Sequence, residues 1–192
     1  TSVYFADQVV PMLPRELSNG ICSLNPRVDR LALSCVMTLT PEGEVVDHTI
    51  AKSVIRTTER MTYEDCNALL AHSDPALAER YARILPMLED MAALSRVLEG
   101  RRRRRGALEL DTRESYVVCD ESGTPVDVVL RTPGISEGLI ESFMLAANEC
   151  VAAHLSRLDA PAVYRIHEKP SQEKTEALRA LLSPLGYSFR EA

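Results

Sequence analysis

The side chains best suited to metal binding are scattered along this sequence. Four histidines (His48, His72, His154 and His167) stand far apart. Nothing matches DxD, HxxxH or ExxH, the local patterns that bring carboxylates and imidazoles together on one metal ion. The GxxxxGK[ST], GxGxxG and GxSxG motifs are absent as well. We therefore predict a surface or hydrogen-bonded core role for each histidine, and neither a complete catalytic site nor a metal site in this chain.

The cysteines give no sign of a disulfide framework or a zinc knuckle. They are odd in number and contain no CxxC pair. We predict that all five are reduced, small core residues: Cys22, Cys35, Cys66, Cys119 and Cys150.

Five consecutive arginines at positions 101–105 are the strongest charge feature. They could neutralise several phosphates, and each such contact would steepen the salt dependence of nucleic-acid binding. The alternative is a solvated helix end whose positive charge compensates the helix dipole. Five consecutive residues also spread around a helix and cannot all face one groove.

Three further positions have two interpretations each. Tyr4, with its neighbour Phe5, could stack on bases, or could cover a core. Glu141 and Asn148 are seven residues apart and share a helix face, which is either functional or the polar edge of a buried helix. Tyr63 is either functional or a hydrophobic anchor at a helix start.

The patterns predict an α+β fold. Thr62 caps a helix, and Pro75 begins another that Pro86 must kink or divide. Ser171 caps a last helix over 171–182, which is ended near 184–186. A helix over 135–158 is expected to bury a stripe of Ile140, Phe143, Met144, Ala147 and Val151. It should pack on a mixed or antiparallel sheet with strands near 31–39, 46–55, 115–120, 126–131 and 162–167, and 107–111 is a further short strand.

Length and charge exclude several classes of protein. The 192 residues suit one domain, or one domain with an appendage. The net charge of −6 argues against a uniformly basic nucleic-acid-binding domain. No apolar run reaches the roughly 18 residues that cross a bilayer, and no signal peptide is visible, so we expect a cytoplasmic protein with no membrane partner. The start lacks a methionine and is apolar, which predicts a piece of a longer protein.

Whole phrases of the sequence resemble the catalytic RNB domain of the ribonuclease II and ribonuclease R family, with the ribonuclease R branch closest. They occur in the family's order over essentially the full length. The matching stretches are 9–14 (VVPMLP), 17–26 (LSNGICSLNP), 28–31 (VDRL), 37–38 (MT), 61–63 (MTY), 105–108 (RGAL), 139–148 (LIESFMLAAN) and 164–170 (YRIHEKP).

The resemblance implies a processive exoribonuclease that hydrolyses single-stranded RNA from its 3′ end to nucleoside 5′-monophosphates with magnesium. In the family, carboxylates hold magnesium, which activates water. The family's DFDD-type aspartate cluster lies before the matched segment and its arginine motif lies after it. Neither occurs in these 192 residues. We therefore expect the central part of the domain, inactive by itself.

The resemblance also implies roles in RNA binding. Tyr4 matches the aromatic residue that clamps the terminal bases, and Tyr63 matches the tyrosine that packs on the last nucleotide. Glu141 matches the glutamate near the terminal ribose, where a 2′-hydroxyl contact prefers RNA to DNA. A basic stretch before Gly-Ala is common in the family, which adds Arg104 and Arg105. Leu110 departs from the family, because relatives carry an aromatic there as the second jaw of the clamp.

Two alternatives remain open. One is a non-catalytic RNA-binding or scaffold protein built on the same domain, and the other, which the ordered phrases disfavour, is an unrelated helical interaction module. In either RNB reading, we expect exposed apolar surface near residues 1–14 and self-association through it.

Overall fold

A computed structural model describes residues 2–6, 8–108, 114–166 and 168–188. Within these ranges the strands form three separate antiparallel pairs, and helices lie between them in the chain. The strands are β1 (Val3–Tyr4), β2 (Val9–Val10), β3 (Asp29–Leu39), β4 (Val45–Arg56), β5 (Glu114–Cys119) and β6 (Pro125–Arg131). The α-helices are α1 (Tyr63–Leu70), α2 (Pro75–Arg80), α3 (Leu85–Arg104), α4 (Ile135–Arg157) and α5 (Gln172–Leu182). A π-helix spans Glu16–Ile21, and a 3-10 helix spans Ser183–Leu185.

The α+β class is confirmed, but the single sheet is wrong. Each strand pairs only with its neighbour in the chain, as β1 with β2, β3 with β4 and β5 with β6. Alternating apolar residues predict strands, whereas the pairing of hairpin edges depends on long-range packing that alternation does not encode.

Two predicted strands are not found in the described residues. Residues 162–166 form no strand, and Val163 is fully exposed. Prolines at 161 and 170 flank this segment, and a proline offers no N–H to a ladder. Ala107 and Leu108 are also irregular, and the rest of the predicted strand at 107–111, like His167, lies outside the described residues.

The helix boundaries follow their capping residues. Thr62 Oγ1 accepts a hydrogen bond from the Asp65 N–H at 3.1 Å, and Ser171 Oγ accepts one from the Lys174 N–H at 3.4 Å. Asp74 caps α2, which begins at Pro75. Pro86 lies in the first turn of α3, where its missing N–H costs nothing. The predicted caps and the division at Pro86 are therefore confirmed.

The core joins the first three helices. Leu69 of α1, Tyr81 just after α2 and Leu88 of α3 are buried together and are surrounded by partly buried apolar side chains. The β3–β4 turn contacts helix α3. Gly43 adopts a positive φ of 80°, a conformation that favours glycine, and a Cβ there would also press on the Val97 side chain of α3 at 3.0 Å.

Helix α4 packs on a different face from the one that the sequence predicts. Its buried residues are Ser136, Leu139, Ser142 and Cys150, whereas Ile140 and Met144 are about half exposed. Apolar and small residues of α4 lie on all sides of the helix, so the periodicity of the sequence alone could not identify the buried face. Near the end of α4, Cys150 contacts Cys35 of β3 and His154 contacts His48 of β4.

The cysteine prediction holds in part. No disulfide joins the five cysteines, all of which lie within the described residues. Cys150 is buried, and Cys35, Cys66 and Cys119 are partly buried. Cys22 is exposed, because it ends the π-helix on the surface rather than facing a core.

The chain divides into two compact units, residues 1–154 and residues 155–192. The first contains the hairpins, α1 to α3 and most of α4, and the second contains α5. In the described part of the chain, no helix combines the length and apolarity required to span a bilayer.

We predict that Leu69→Ala lowers the free energy of unfolding by about 3 kcal/mol, since it opens a cavity beneath α1. Leu69 is 1% exposed. The matched control is Leu31→Ala on the open face of β3, where the leucine is 88% exposed and the expected change is within about 0.5 kcal/mol. Urea denaturation followed by circular dichroism measures both, and equal losses would contradict this packing.

Candidate nucleic-acid interface

A hydrogen-bond network joins the start of α1 to the start of α4 and thereby positions Tyr63. Asn67, one turn into α1, accepts from the Ser136 N–H through Oδ1 at 2.9 Å and donates through Nδ2 to Glu137 Oε2 at 3.2 Å. The Ser136 hydroxyl lies 3.2 Å from both the Tyr63 carbonyl oxygen and Glu137 Oε2. We call this set, Tyr63, Asn67, Ser136 and Glu137, the α1–α4 junction.

Glycine and charge complete the junction. A Cβ on Gly134 would collide with the Asn67 amide, so only glycine permits this approach. Desolvation by burial is the largest single influence on Glu137 and acts to raise its pKa. The hydrogen bonds that the carboxylate accepts from the side chains of Asn67 and Ser136 and the N–H of Gly134, with its own backbone N–H, together lower that pKa. Glu137 is therefore held as an anion at neutral pH.

Tyr63 stands at the edge of an apolar cavity of about 590 Å³. Its side chain is 42% exposed, so part of the ring is open to a ligand. Aliphatic and thioether side chains dominate the wall, and hydroxyl and carboxylate groups stand among them. The lining residues include Met61, Met87, Met91, Leu70, Ile84, Leu139, Ile140, Thr57, Thr58 and Glu59. A concave apolar wall beside an exposed phenol ring suits a planar aromatic group such as a base.

At least three of the five arginines bind other parts of the protein. Arg101 Nη1 donates to the Gly43 carbonyl at 2.7 Å, which fixes the hairpin turn on α3. Arg102 Nη1 lies 3.3 Å from Glu141 Oε1. Arg105 donates two hydrogen bonds to the Glu149 carboxylate, from Nη1 to Oε2 at 3.1 Å and from Nη2 to Oε1 at 2.8 Å. Neither interpretation drawn from the sequence, phosphate binding or a solvated helix end, includes these contacts of the arginines within the protein.

The Arg105 pair shifts both groups toward their charged forms. The hydrogen bond from Arg105, followed by the fields of Arg105, Arg101 and Arg102, lowers the pKa of Glu149 against the opposing effect of burial. The hydrogen bond to Glu149 raises the pKa of Arg105. Arg104 is exposed, and no hydrogen bond or ion pair involving it is found in the described part of the chain. Arg104 thus presents the more available cation to an anionic ligand.

Glu141 lies on the exposed side of α4, one residue after the cavity-lining Ile140. Its carboxylate is held toward α3 by Arg102 and keeps more than half of its side-chain surface open. Asn148, predicted to share this face, is also exposed. Tyr63 and Ile140 line the same cavity, and Glu141 follows Ile140 in the chain.

Tyr4 belongs to a separate element, the β1–β2 hairpin. It pairs with Val9 and is 77% exposed, so its ring is available for stacking. The Cys119 thiol lies 3.9 Å from the Ala6 carbonyl and ties this hairpin to β5. Among the described residues, no hydrogen bond links the Tyr4 side chain to Tyr63 or Glu141. Leu110, the predicted departure in the clamp, lies outside the described residues.

The described residues do not fit a magnesium site. Within the ranges that the structure covers, no three His, Cys, Asp or Glu side chains group closely enough to hold a metal ion. We therefore derive no catalytic step through a metal from this chain. The histidines behave as predicted where they are described: His48 Nε2 and His154 Nδ1 share a hydrogen bond of 2.9 Å, and the exposed His72 has its Nε2 3.9 Å from Glu89 Oε1.

Sequence reasoning missed the α1–α4 junction and the arginine partners. No local motif links residue 67 to residue 136, because their contact depends on how two distant helices pack. The glutamates did carry a signal. Glu141 and Glu149 are eight residues apart and lie near one face of a helix, as acidic partners for a basic neighbouring helix should.

These features are those of an RNB-domain protein. The RNB domain family matches residues 1–191, and the chain belongs to that family. Among its relatives is ribonuclease R, which confirms the resemblance drawn from the sequence. Ribonuclease R 1 of Lactococcus lactis is 51% identical over 176 residues, covering 92% of this chain and 21% of the relative.

Solved structures agree with this assignment. Mycoplasma genitalium RNase R in complex with ribose methylated single-stranded RNA matches all of this chain with a TM-score of 0.87 and 28% identity. The same protein in complex with double-stranded RNA matches with a TM-score of 0.88. This chain covers 30% and 34% of those two chains, so it spans about a third or less of the relatives it matches.

We predict that Asn67→Asp destabilises the protein by about 2 kcal/mol at pH 7 and by about 1 kcal/mol less at pH 5. The new carboxylate keeps the acceptor for the Ser136 N–H but faces Glu137 in place of a donor. Like-charge repulsion raises the folded-state pKa of this carboxyl pair, so the stability lost at pH 7 returns as the pH falls through that raised value. Urea denaturation of variant and wild type at both pH values measures the difference.

The control is Asn67→Ala, which removes both hydrogen bonds without adding charge. Its cost should be nearly equal at pH 7 and pH 5. A cost of Asn67→Asp that does not depend on pH would show that Glu137 does not face position 67.

Proposed function

We propose that this chain forms the RNA-positioning part of a processive 3′-to-5′ exoribonuclease that hydrolyses single-stranded RNA to nucleoside 5′-monophosphates. The observation that carries the proposal is the match over the whole chain to a ribonuclease R solved with single-stranded RNA. The half-exposed Tyr63 beside an apolar cavity supports it, because stacking on an aromatic ring binds every base without regard to sequence.

In this proposal Tyr63 packs on the terminal nucleotide and Glu141 accepts a hydrogen bond from the terminal ribose. The α1–α4 junction holds Tyr63 in place, and Arg102 holds the carboxylate of Glu141 from one side while the other side stays open. DNA lacks the 2′-hydroxyl that this carboxylate would accept from, so a preference for RNA follows. Tyr4 supplies a second aromatic surface further along the strand.

Arg104 and Arg105 neutralise RNA phosphates in different ways. Arg104 does so directly from its exposed position. Arg105 is held by Glu149 through Nη1 and Nη2, and its Nε–H and the second N–H of each Nη group can bind a phosphate. Magnesium and the aspartates that bind it belong, in this proposal, to a part of the protein other than these residues. The chain is therefore inactive by itself. The whole protein acts in the cytoplasm, where its RNA substrates are.

The first test is a binding and hydrolysis assay. The chain should bind fluorescent single-stranded RNA, with an affinity that falls steeply with salt, and should release no mononucleotides in the presence of Mg²⁺. Sedimentation of the same sample should show self-association, since seven large apolar residues among the first 13 are exposed: Val3, Tyr4, Phe5, Val9, Val10, Met12 and Leu13. Mononucleotide release would contradict inactivity, and a concentration-independent monomer would contradict self-association.

The second test assigns roles to the side chains. Tyr63→Ala should weaken RNA binding about tenfold, whereas Tyr63→Phe, which keeps the ring, should not. Glu141→Gln should lower the ratio of RNA to DNA affinity. Glu149→Gln is its matched control, because it also breaks an arginine pair between α3 and α4 but should leave that ratio unchanged.

Arg104→Gln should reduce the slope of log affinity against log salt by about 0.7, the value for one lost phosphate contact on a single strand. If Tyr63→Ala weakens binding no more than Tyr187→Ala, which removes an exposed tyrosine of the second compact unit, the proposed role of Tyr63 is wrong.

Reading the coding sequence before Thr1 distinguishes the enzyme from the non-catalytic RNA-binding or scaffold protein. An aspartate cluster of the DFDD type there supports the enzyme. Its loss or replacement would favour an RNA-binding protein that holds RNA without cutting it.

A further inference from the structure

Two cysteines from distant parts of the chain meet where the β3–β4 hairpin packs on α4. Cys35 of β3 and Cys150 of α4 have their Sγ atoms 3.8 Å apart, in van der Waals contact, although 115 residues separate them in the sequence. Cys150 is 8% exposed, and Cys35 is partly open to solvent.

A second contact fixes the same two elements one step further along. His48 Nε2 of β4 lies 2.9 Å from His154 Nδ1 of α4, and the two rings meet edge to face. Cys150 and His154 are one helical turn apart on α4. On the hairpin, Cys35 is opposite Ile50, and His48 is two residues from Ile50 on the same side of β4. The Cys35–Cys150 and His48–His154 contacts together fix the spacing and register of the hairpin on the helix. The two thiols are therefore held in a defined position next to each other.

The other three cysteines have no thiol neighbour of this kind among the described residues. Cys66 Sγ lies 3.8 Å from the Met61 thioether, and Cys119 Sγ lies 3.9 Å from the Ala6 carbonyl. Cys22 is exposed at the end of the π-helix. Burial raises the pKa of the Cys66 thiol.

We propose that Cys35 and Cys150 form an oxidisable dithiol site, at which a peroxide converts the two thiols to a disulfide that ties the β3–β4 hairpin to α4. The more accessible Cys35 thiolate attacks a peroxide oxygen and the O–O bond breaks, which gives a sulfenic acid and hydroxide. The Cys150 thiolate then attacks the Cys35 sulfur, the S–O bond breaks, and the departing hydroxide takes up the thiol proton to leave as water. Overall, two thiols lose two hydrogens and hydrogen peroxide is reduced to two waters.

The disulfide would close the chain from residue 35 to residue 150 into one loop. That loop contains α1, Tyr63 and the part of α4 that carries Glu141. A cross-link over so long a loop removes much of the conformational freedom of the unfolded chain. Oxidation would therefore stabilise the unit that presents the candidate nucleic-acid interface, whether or not the proposed function is right.

The test uses the full chain with Cys22, Cys66 and Cys119 each replaced by serine. After mild treatment with hydrogen peroxide and trypsin, residues 31–52 and residues 132–157 should appear as one linked peptide, about 2 Da lighter than the sum of the two. The midpoint of urea unfolding should rise by about 1 M and should return after dithiothreitol. The matched control adds Cys35→Ser, and neither change should occur in it.

Sulfinic acid on Cys35 without the linked peptide, or no reaction of either thiol, would overturn the proposal. Should the triple serine variant fail to fold, the same peptide map on the wild-type chain decides the matter. There, a linkage of Cys35 or Cys150 to any other cysteine in preference to each other also overturns it.

Discussion

The candidate interface depends most on the two hydrogen bonds that the Asn67 side-chain amide forms with Ser136 and Glu137. The amide Oδ1 accepts from the Ser136 N–H, one of the helix-start donors that have no partner within the helix, and its Nδ2 donates to Glu137, which also accepts from the Ser136 hydroxyl and the Gly134 N–H. Gly134 makes room for the amide, since any side chain there would fill the same space. Because Tyr63 is the first residue of α1 and its carbonyl faces Ser136, its position follows from this contact.

Helix α4 organises the rest of the first unit in a similar way. Its first turn holds α1, its middle and later glutamates hold the arginines at the end of α3, and its last turns hold the β3–β4 hairpin through Cys150 and His154. Polar, ionic and sulfur contacts thus meet on one helix that carries Glu141. Arg102 and Arg105 tie the end of α3 to α4, and the proposed function gives Arg105 and its neighbour Arg104 a second role in binding RNA phosphates.

The local parts of this fold could be predicted from the sequence, because they depend on near neighbours. Thr62 and Ser171 cap their helices as expected, and Pro86 separates α2 from α3. The contacts between distant elements could not be predicted in the same way. Alternation predicted strands but not that the hairpins stay separate, and an apolar helix with small residues all round concealed that Leu139 rather than Ile140 is buried. The family resemblance is the basis on which Tyr63 and Glu141 are proposed as site residues, whereas Asn67, whose network contacts the start of α1, has no local signal in the sequence.

The central claim, that the end of an RNA strand lies beside Tyr63 and Glu141, is tested most directly by photo-cross-linking. A single-stranded RNA with a 4-thiouridine at its 3′ end is bound to the chain, irradiated and digested with trypsin. The account predicts cross-links on the peptides that carry Tyr63 (residues 61–80) and Glu141 (residues 132–157). Cross-links confined to the second unit, residues 155–192, would contradict it.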